Sequence, residues 1–359
     1  MQRLDRYILG KYIKTFLLAL ALIIVIVITF DVSEKLDDFL KNNAPLKEVV
    51  FQYYGNFIPN FVNLYSPLFI FVAVLFFTSR MAGNSETVAI LGSGISYKRM
   101  LRPYLYGSII FALIILLLGN FVIPRSNVHL RDFEGKYVKT LKRSFYSNLH
   151  FQTVKGVQVY TQSYDVKEMS AYFFHQDTYD ENNNLVDKVS ANKLIYDTTR
   201  NQWTAQGYSH RTFNGEKETL ETVPERVTNL QLLPDDFNQA AKNISTMNSK
   251  ELVQHIRQEK IRGSGALNMA KIELYQRLLN PLAIIVMTFI GVAISSRKTR
   301  GGLGVHLAIG ICLAFAFIVM MRFCTVFSVN GNLNPFFAVL LPQLVFGVVA
   351  IYLIHKAPK

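Results

Sequence analysis

Six long apolar stretches constrain the fold of this chain more than any other feature of its sequence. A helix needs about 20 apolar residues to cross the hydrocarbon core of a membrane, where its backbone polar groups must bond to one another. Of the 359 residues, 50% are hydrophobic and 18% are charged, which is more apolar surface than a soluble protein of this length buries. The predicted spans are residues 13–30, 57–78, 103–123, 278–296, 303–323 and 335–354.

Basic residues at the ends of the spans predict the orientation of the chain. Short loops rich in Lys and Arg remain in the cytoplasm, and the first span is too long for a signal peptide and lacks a small-residue cleavage site. The net charge of +13 is therefore interpreted as membrane topology rather than nucleic-acid binding. Both termini are predicted to be cytoplasmic. The basic residues are Arg3, Arg6, Lys11, Lys14, Arg80, Lys98, Arg99, Arg102, Arg297, Lys298, Arg300, His355, Lys356 and Lys359.

The long segment between spans three and four is predicted to be an extracytoplasmic all-β domain. Apolar and polar residues alternate at 157–160, and the segment 169–175 contains Ala171-Tyr172-Phe173-Phe174. A run of three asparagines at 182–184 signals a turn, and residues 193–211 read as a hairpin. Many short strands with polar turns favour a sandwich or jelly roll over a parallel sheet. Four aromatic residues are interpreted as core: Tyr160, Tyr172, Phe174 and Trp203.

The predicted fold class is therefore an α-helical membrane protein with six transmembrane helices, three on each side of an inserted, jelly-roll-like β-domain. The N-terminal transmembrane half is residues 1–123, and the β-domain is residues 124–248. Apolar residues at helical spacing after residue 249 predict a helical connector at 249–277. The C-terminal transmembrane half is residues 278–359.

Motifs for covalent chemistry are absent from the sequence. There is no phosphate loop G-x-x-x-x-G-K-[ST], which an ATPase needs to hold nucleotide phosphates. The seven histidines are scattered, so no metal site and no catalytic residue are predicted, and Cys312 and Cys324 are interpreted as packing residues. The spans contain almost no ionisable residues, which disfavours proton coupling. Energy is therefore expected from a separate subunit.

The predicted cytoplasmic loop at residues 80–103 has the pattern of a short docked helix at about 84–95. Asn84 or Ser85 can cap its start, and Glu86 suits the positive end of a helix. The loop is either a helix that fills a groove on a soluble partner or a solvated or membrane-surface segment. Its apolar face would be Val88, Ala89 and Leu91, and Gly92 and Gly94 can end the helix.

Three segments carry a resemblance to a known family. They are Leu4-Asp5-Arg6-Tyr7-Ile8 before span one, Ser85-Glu86-Thr87-Val88-Ala89 followed by Gly92-Ser93-Gly94, and Asn280-Pro281-Leu282 opening span four. Together with the three-plus-three arrangement around a β-domain, they resemble the lipopolysaccharide transport permease family LptF/LptG, also called YjgP/YjgQ, and LptG more than LptF. The resemblance covers essentially the whole chain, although it does not decide which of the two permease roles the chain fills.

The resemblance implies an ABC exporter of the inner membrane that extracts lipopolysaccharide and passes it toward the outer membrane. The implied partners are a paired homologous permease, a cytoplasmic ATPase dimer and a periplasmic β-jelly-roll bridge protein. The chain itself would bind no cofactor, since ATP and Mg belong to the ATPase. Glu86 would be the main polar contact to the ATPase. The coupling helix would comprise Ser85, Glu86, Val88, Ala89, Leu91, Gly92 and Gly94.

A substrate with phosphates and acyl chains calls for cations beside an apolar cavity. Lys35 and Lys41 follow span one on the predicted outer side, at positions where the family has lysines, and Arg322 lies near the outer end of span five. All three are candidate substrate contacts. The alternative is that Lys35 and Lys41 form i,i+4 pairs with Asp31 and Asp37, worth about 0.3 to 0.5 kcal/mol each, and that Arg322 is an interfacial anchor.

The acidic residues around these lysines would weaken phosphate binding unless they form pairs or bind a divalent ion; they are Asp31, Glu34, Asp37 and Asp38. Two alternative functions also stay open. One is a permease for another envelope lipid or lipoprotein. The other is a non-transporting envelope assembly scaffold, which would need neither a coupling helix nor an ATPase.

Overall fold

The computed structural model describes residues 3–138, 145–154, 156–166, 168–198, 200–215, 217–228, 230, 232–234, 236–237, 244–262, 266–296 and 302–357. The chain divides into two compact units, each described here by itself. The helical unit is Met1–Phe133 with Asn268–Lys359, and the sheet unit is Glu134–Leu267. From the sequence, the N-terminal transmembrane half is expected to end at residue 123 and the C-terminal half to begin at residue 278. Four basic residues of the orientation argument, Arg297, Lys298, Arg300 and Lys359, lie outside the described residues.

The helical unit is built from long apolar helices. A π-helical turn, Val49–Tyr54, joins α2 to α3, and a second one, Leu118–Val122, joins α5 to α6. The helices are α1 (Arg3–Lys41), α2 (Leu46–Glu48), α3 (Gly55–Gly83), α4 (Glu86–Gly92), α5 (Tyr97–Leu117) and α6 (Ile123–Phe133). After α7 (Ser249–Arg262) of the sheet unit come α8 (Ala266–Ser295), α9 (Gly302–Asn330) and α10 (Pro335–Lys356).

Six helical segments among the described residues are long and apolar enough to cross a membrane, three before the sheet and three after it. The six predicted spans are therefore confirmed. The helices are longer than the predicted apolar stretches. The apolar stretch forms the central part of each helix, and the polar residues on either side continue it. Helix α1 has 39 residues and is about 58 Å long at 1.5 Å per residue. The motif Asn280-Pro281-Leu282 does not begin the helix of the fourth span. That helix is α8, which begins at Ala266.

Helix α3 lies at the centre of the helical core. On one side it packs with Tyr12 of α1 and with Tyr104 and Phe111 of α5. On the other side its Phe71 belongs to a second cluster with Phe317 of α9 and residues of α8 and α10. The middle of α1, by contrast, exposes large apolar side chains, as expected of a surface that faces lipid or another membrane subunit. These are Leu17, Leu18, Leu22, Val25, Ile26 and Phe30.

The sheet unit contains six antiparallel strands in sequential order. The turn at 182–184 lies between β3 and β4, and the hairpin predicted at 193–211 is formed by β4 and β5, with Asp197 paired to Gln202. The antiparallel all-β insertion is thus confirmed, while its jelly-roll-like character stays a prediction. The strands are β1 (Phe145–Gln152), β2 (Val157–Asp165), β3 (Ser170–Tyr179), β4 (Leu185–Asp197), β5 (Gln202–Asn214) and β6 (Lys217–Thr228).

One face of the sheet carries the apolar core. Trp203 and Phe174 are fully buried there, and Trp203 Nε1 donates a 2.7 Å hydrogen bond to the carbonyl oxygen of Leu232. Tyr160 and Tyr172, also expected in the core, are half-buried and outside it. Tyr160 stacks on a neighbouring histidine ring, and Tyr172 faces Lys193, whose Nζ is 5.1 Å from the ring centroid.

Tyr160 lies between the buried residues Val159 and Thr161, so regular alternation places it on the opposite face. Tyr172 lies outside the core because the alternation of buried residues shifts within the strands. Buried positions step by three residues once in each of four neighbouring strands, from 161 to 164, 171 to 174, 191 to 194 and 205 to 208. Phe173 and Gly207, which lie within two of these steps, have positive φ angles of 50° and 65°. Irregular backbone of this kind re-aims the side chains that follow it. Tyr172 consequently does not share the core face with Phe174.

The chain leaves the sheet unit through α7, within the predicted connector. Asn248 Oδ1 accepts a 2.9 Å hydrogen bond from the Glu251 backbone N–H, and Glu251 Oε2 accepts a 3.3 Å hydrogen bond from the Asn248 N–H. This reciprocal pair is a capping box, which satisfies two backbone donors at the start of a helix.

Candidate functional site

Helix α4 is a short helix between two predicted membrane helices, and one of its faces is exposed. Ser85, Val88, Ala89 and Gly92 recur at helical spacing and are all exposed, with Val88 60% accessible. Thr87, on the other side of the helix, is only 2% accessible. Val88 and Ala89 therefore give this face a small exposed apolar surface.

The remaining apolar residues of α4 point toward the helical unit. Leu91, expected on the docking face, instead packs against the core of that unit together with Ile90. The helix ends at Gly92, as expected, and Gly94 follows with a φ of +85°. Its N–H donates a 3.1 Å hydrogen bond to the Leu91 carbonyl. Ser85 occupies the N-cap position but makes no capping hydrogen bond through its side chain.

The carboxylate of Glu86 contacts α1. Tyr7 Oη donates a 2.8 Å hydrogen bond to it, and Lys11 Nζ lies 2.7 and 3.0 Å from its two oxygens. Burial alone would raise the pKa of Glu86, but the hydrogen bonds from Lys11 and Tyr7 outweigh it and hold the pKa below its ordinary value of 4.5. Glu86 is therefore ionised at neutral pH and paired within the chain. A contact between Glu86 and an ATPase stays a prediction.

A second ion pair joins α1 to the segment that follows α4. Arg99 donates two hydrogen bonds to Asp5, of 2.6 and 2.9 Å, and Asp5 is 3% accessible. Two-point Arg–carboxylate contacts of this kind fix orientation as well as charge. Sequence reasoning missed this pair. It interpreted Arg99 as a topology signal, although the acidic residue in the motif Leu4-Asp5-Arg6-Tyr7-Ile8 was a usable indication.

Lys35 is enclosed at the other end of α1. Its Nζ lies 2.8 Å from Asp31 Oδ1 and contacts the hydroxyl of Tyr53. The hydroxyls of Tyr53 and Tyr54 each donate a 3.1 Å hydrogen bond to Asp31. The Lys35 and Asp31 side chains are 19% and 11% accessible. The i,i+4 pair with Asp31, which was the alternative to a substrate contact for Lys35, is therefore formed. The sequence analysis did not predict the contacts of Tyr53 and Tyr54, because the only signal for them was their position just before the second span.

Lys41 has different surroundings. It is exposed, and the described residues include no ion-pair partner for it, so the pair with Asp37, which was the alternative to a substrate contact, is not formed. Among the described residues there is also no group of three or more His, Cys, Asp or Glu side chains that could hold a metal ion. The positive charge of Lys41 is consequently available to an external anion.

Arg322 lines a cavity of about 90 Å³ between α3, α8 and α9. The polar lining includes Asn63, Gln276 and Asn280, and Asn280 Oδ1 is a buried acceptor with no hydrogen-bond partner among the described residues. The apolar lining includes Leu68, Ala283, Met287, Ala314 and Phe317. None of the residues around Lys35 lines this cavity. Lys41 does not line the cavity either, so Arg322 lies apart from the two lysines of α1.

The family described as lipopolysaccharide export system permease LptF/LptG matches residues 6–356 of the chain. The chain belongs to the LptF/LptG family. The lipopolysaccharide export system permease protein LptG of Haemophilus influenzae is 21% identical to this permease over 312 residues, which is 84% of each chain. The chain is accordingly a permease subunit for lipopolysaccharide export and a multi-pass protein of the inner membrane. Membership also implies that it works with other components of the lipopolysaccharide transport system.

The segments that carried the resemblance now have positions in the structure. Leu4-Asp5-Arg6-Tyr7-Ile8 supplies Asp5 and Tyr7 to the contacts between α1 and the α4 region. The segment at 85–94 forms α4 and its two ends. Asn280 of the third segment lines the Arg322 cavity.

Proposed function

We propose that this permease is one of two homologous membrane subunits bound to a dimer of cytoplasmic ATPases. In this role it draws lipopolysaccharide from the outer leaflet of the inner membrane and delivers it to a periplasmic β-jelly-roll bridge protein. Both termini face the cytoplasm, and the sheet unit lies in the periplasm. The chain binds no cofactor and has no ATPase site of its own, because ATP and Mg are bound by the partner.

The observation that carries the proposal is the exposed face of α4. A helix that lies between two spans, with one side packed on the membrane helices and the other apolar and open, suits insertion into a groove of a soluble protein. Ser85, Val88, Ala89 and Gly92 supply this face. A conformational change of the ATPase displaces α4, and this displacement is transmitted to the membrane helices of the permease.

The substrate contacts follow from the chemistry of a phosphorylated glycolipid. Lys41 offers an exposed cation, and Arg322 offers a second one beside a lining that is mostly apolar. Phosphate groups pair with such cations, and acyl chains occupy apolar surface. Lys35 contributes a third cation once its pair with Asp31 opens. The exposed apolar residues in the middle of α1 complete a lipid-facing surface.

Purification from native membranes in mild detergent, followed by mass spectrometry of bound proteins and lipids, tests this proposal. We expect a second homologous permease, an ATPase and a phosphorylated lipid A species. A different bound lipid together with the ATPase would replace lipopolysaccharide as the substrate. Recovery with envelope proteins but without ATPase or glycolipid would contradict the proposal and favour an assembly scaffold.

A further inference from the structure

Helix α7 carries three exposed cations on one side. Lys250, Arg257 and Lys260 are exposed, and at 3.6 residues per turn they lie within an arc of about 80° around the helix axis. Val253 falls inside the same arc and is 37% accessible. These four residues are called the cationic face below. Their spacing sets the three charges side by side along most of the helix.

The acidic residues of α7 do not neutralise the cationic face. Glu251 takes part in the capping box with Asn248, and Glu259 lies on the opposite side of the helix and is only 6% accessible. Leu252, beside Glu259 on that side, is fully buried. In the part of the chain that the structure describes, the three cations have no ion-pair partner. The exposed side of α7 therefore presents positive charge alone, which attracts an anionic surface.

The length of the connecting chain keeps α7 close to the membrane. Helix α7 ends four residues before Ala266, the first residue of α8, and four residues span at most about 14 Å. Asn268 of α8 donates a 3.2 Å hydrogen bond to the carbonyl oxygen of Ser328, and Ser328 Oγ donates one of 2.8 Å to the carbonyl of Leu333. The start of α8 is therefore level with the turn that joins α9 to α10. Because that turn connects two membrane helices, it lies at the edge of the hydrocarbon core, beside the headgroups.

We propose that the cationic face of α7 binds anionic phospholipid headgroups and thereby attaches the sheet unit to the membrane surface. This inference goes beyond the proposed function and rests on it only for the identity of the leaflet, which is the periplasmic one. Each Lys or Arg near an anionic membrane strengthens binding about fivefold. A helix with its cations on one side lies along the headgroup layer. Phospholipid is the occupant because its headgroups surround α8 permanently, whereas an acidic protein would have to be recruited.

Hydrogen exchange of the full chain in lipid nanodiscs tests the inference. One set of discs contains phosphatidylcholine alone, and the other contains phosphatidylcholine mixed with phosphatidylglycerol, which is anionic. We expect the amides of α7 to exchange about tenfold more slowly in the anionic discs, since three cations act together. High salt should remove the difference, because it screens the attraction between exposed charges.

Variants of the cationic face identify the groups responsible. The triple variant Lys250→Gln, Arg257→Gln, Lys260→Gln should exchange at the same rate in both kinds of disc. Lys250→Arg with Lys260→Arg keeps the charges and should retain the slower exchange. Lys217→Gln is the control, because Lys217 is an exposed cation of the sheet unit outside α7, and it should behave as the unmodified chain does. Trp203 fluorescence verifies that the sheet of each variant is folded.

Two results would overturn the inference. One is equal exchange of α7 in both kinds of disc, or slower exchange that persists in the triple variant. The other is protection of α7 that requires copurified partner proteins and is independent of lipid charge, which would assign the cationic face to a protein. The assay contains neither ATP nor lipopolysaccharide, so its failure leaves the proposed function intact. A failure of lipopolysaccharide export would likewise leave the exchange result unchanged.

Discussion

At the scale of single residues, Lys35 and Lys41 show how the same side chain on one helix acquires different properties. Lys35 is surrounded by Asp31, Tyr53 and Tyr54, whereas Lys41 is exposed to solvent. Removing one partner of a partly buried ion pair leaves the other charge poorly solvated, which is costly. Removing an exposed charge has little effect on stability.

Alanine substitutions should separate the two lysines. Lys35→Ala should destabilise the helical unit by about 1–3 kcal/mol, because the Asp31 carboxylate loses its cation and keeps only the two tyrosine hydroxyls, and Lys35→Ala with Asp31→Asn should recover part of that loss. Lys41→Ala should leave stability within about 0.5 kcal/mol and lower the amount of bound lipopolysaccharide. Thermal unfolding in detergent and quantification of bound lipid provide the measurements. Equal destabilisation by both substitutions would contradict the different surroundings described for them.

Gly207 lies within the three-residue step between buried positions of β5 and gives that step its positive φ angle. Its φ of +65° is unfavourable for other residues, and a Cβ there would collide with the side chain of Asn192. Gly207→Ala should therefore destabilise the sheet by more than about 1 kcal/mol. Gly215→Ala is the control, since its φ is +63° and no atom lies within 4 Å of its added Cβ. Fluorescence of Trp203, the single tryptophan, reports unfolding of the sheet. An equal loss of stability in both variants would contradict a collision between the added Cβ and Asn192.

At the scale of elements, the sequence predicts what is determined locally. The spans follow from hydropathy summed over about 20 residues, and the β4–β5 hairpin follows from a turn signal between alternating segments. The shift in the burial pattern of the sheet does not follow from local sequence, because four neighbouring strands share it and two of them carry a positive φ angle within it. The ion pairs Lys11–Glu86 and Asp5–Arg99 join residues 75 and 94 positions apart, and the packing of α1 on α5 brings them together. The enclosed Lys35 likewise depends on the π-helical turn that carries Tyr53 and Tyr54.

The exposed face of α4 should be necessary for binding of the ATPase. Val88→Asp places a charge in the middle of this face and should abolish copurification of the ATPase while the chain remains folded. Val154→Asp is the control, because Val154 has a comparable accessibility of 54% in the sheet unit. Retention of the ATPase by Val88→Asp would exclude α4 as the docking element.

The contact between Glu86 and α1 has a defined pH dependence. The pKa of Glu86 lies below its ordinary value of 4.5, so the ionised form is favoured in the folded chain. Its contribution to stability is complete above the ordinary pKa and is lost as the pH falls through the lowered one. Isotope-edited infrared spectra, with Glu86→Gln to identify the band, should give a midpoint below 4.5. A midpoint at or above 4.5 would contradict the Lys11 contact, and Lys11→Met should raise the midpoint.

At the scale of the whole molecule, the chain leaves two apolar surfaces exposed. The exposed face of α4 and the exposed apolar middle of α1 are surfaces that a working transporter would cover. Arg322 lines a cavity that Lys35 and Lys41 do not line. Family membership across residues 6–356 fits a chain whose two units serve one export process.

ATP-dependent release of lipopolysaccharide from proteoliposomes tests the central claim most directly. The chain, its copurified partners and lipopolysaccharide are reconstituted together, and transfer to a soluble acceptor is measured with and without ATP. We predict release that requires ATP, is absent when this permease is omitted, and is not matched by phospholipid in the same vesicles. ATP hydrolysis without lipopolysaccharide transfer, or equal transfer of phospholipid, would contradict the account.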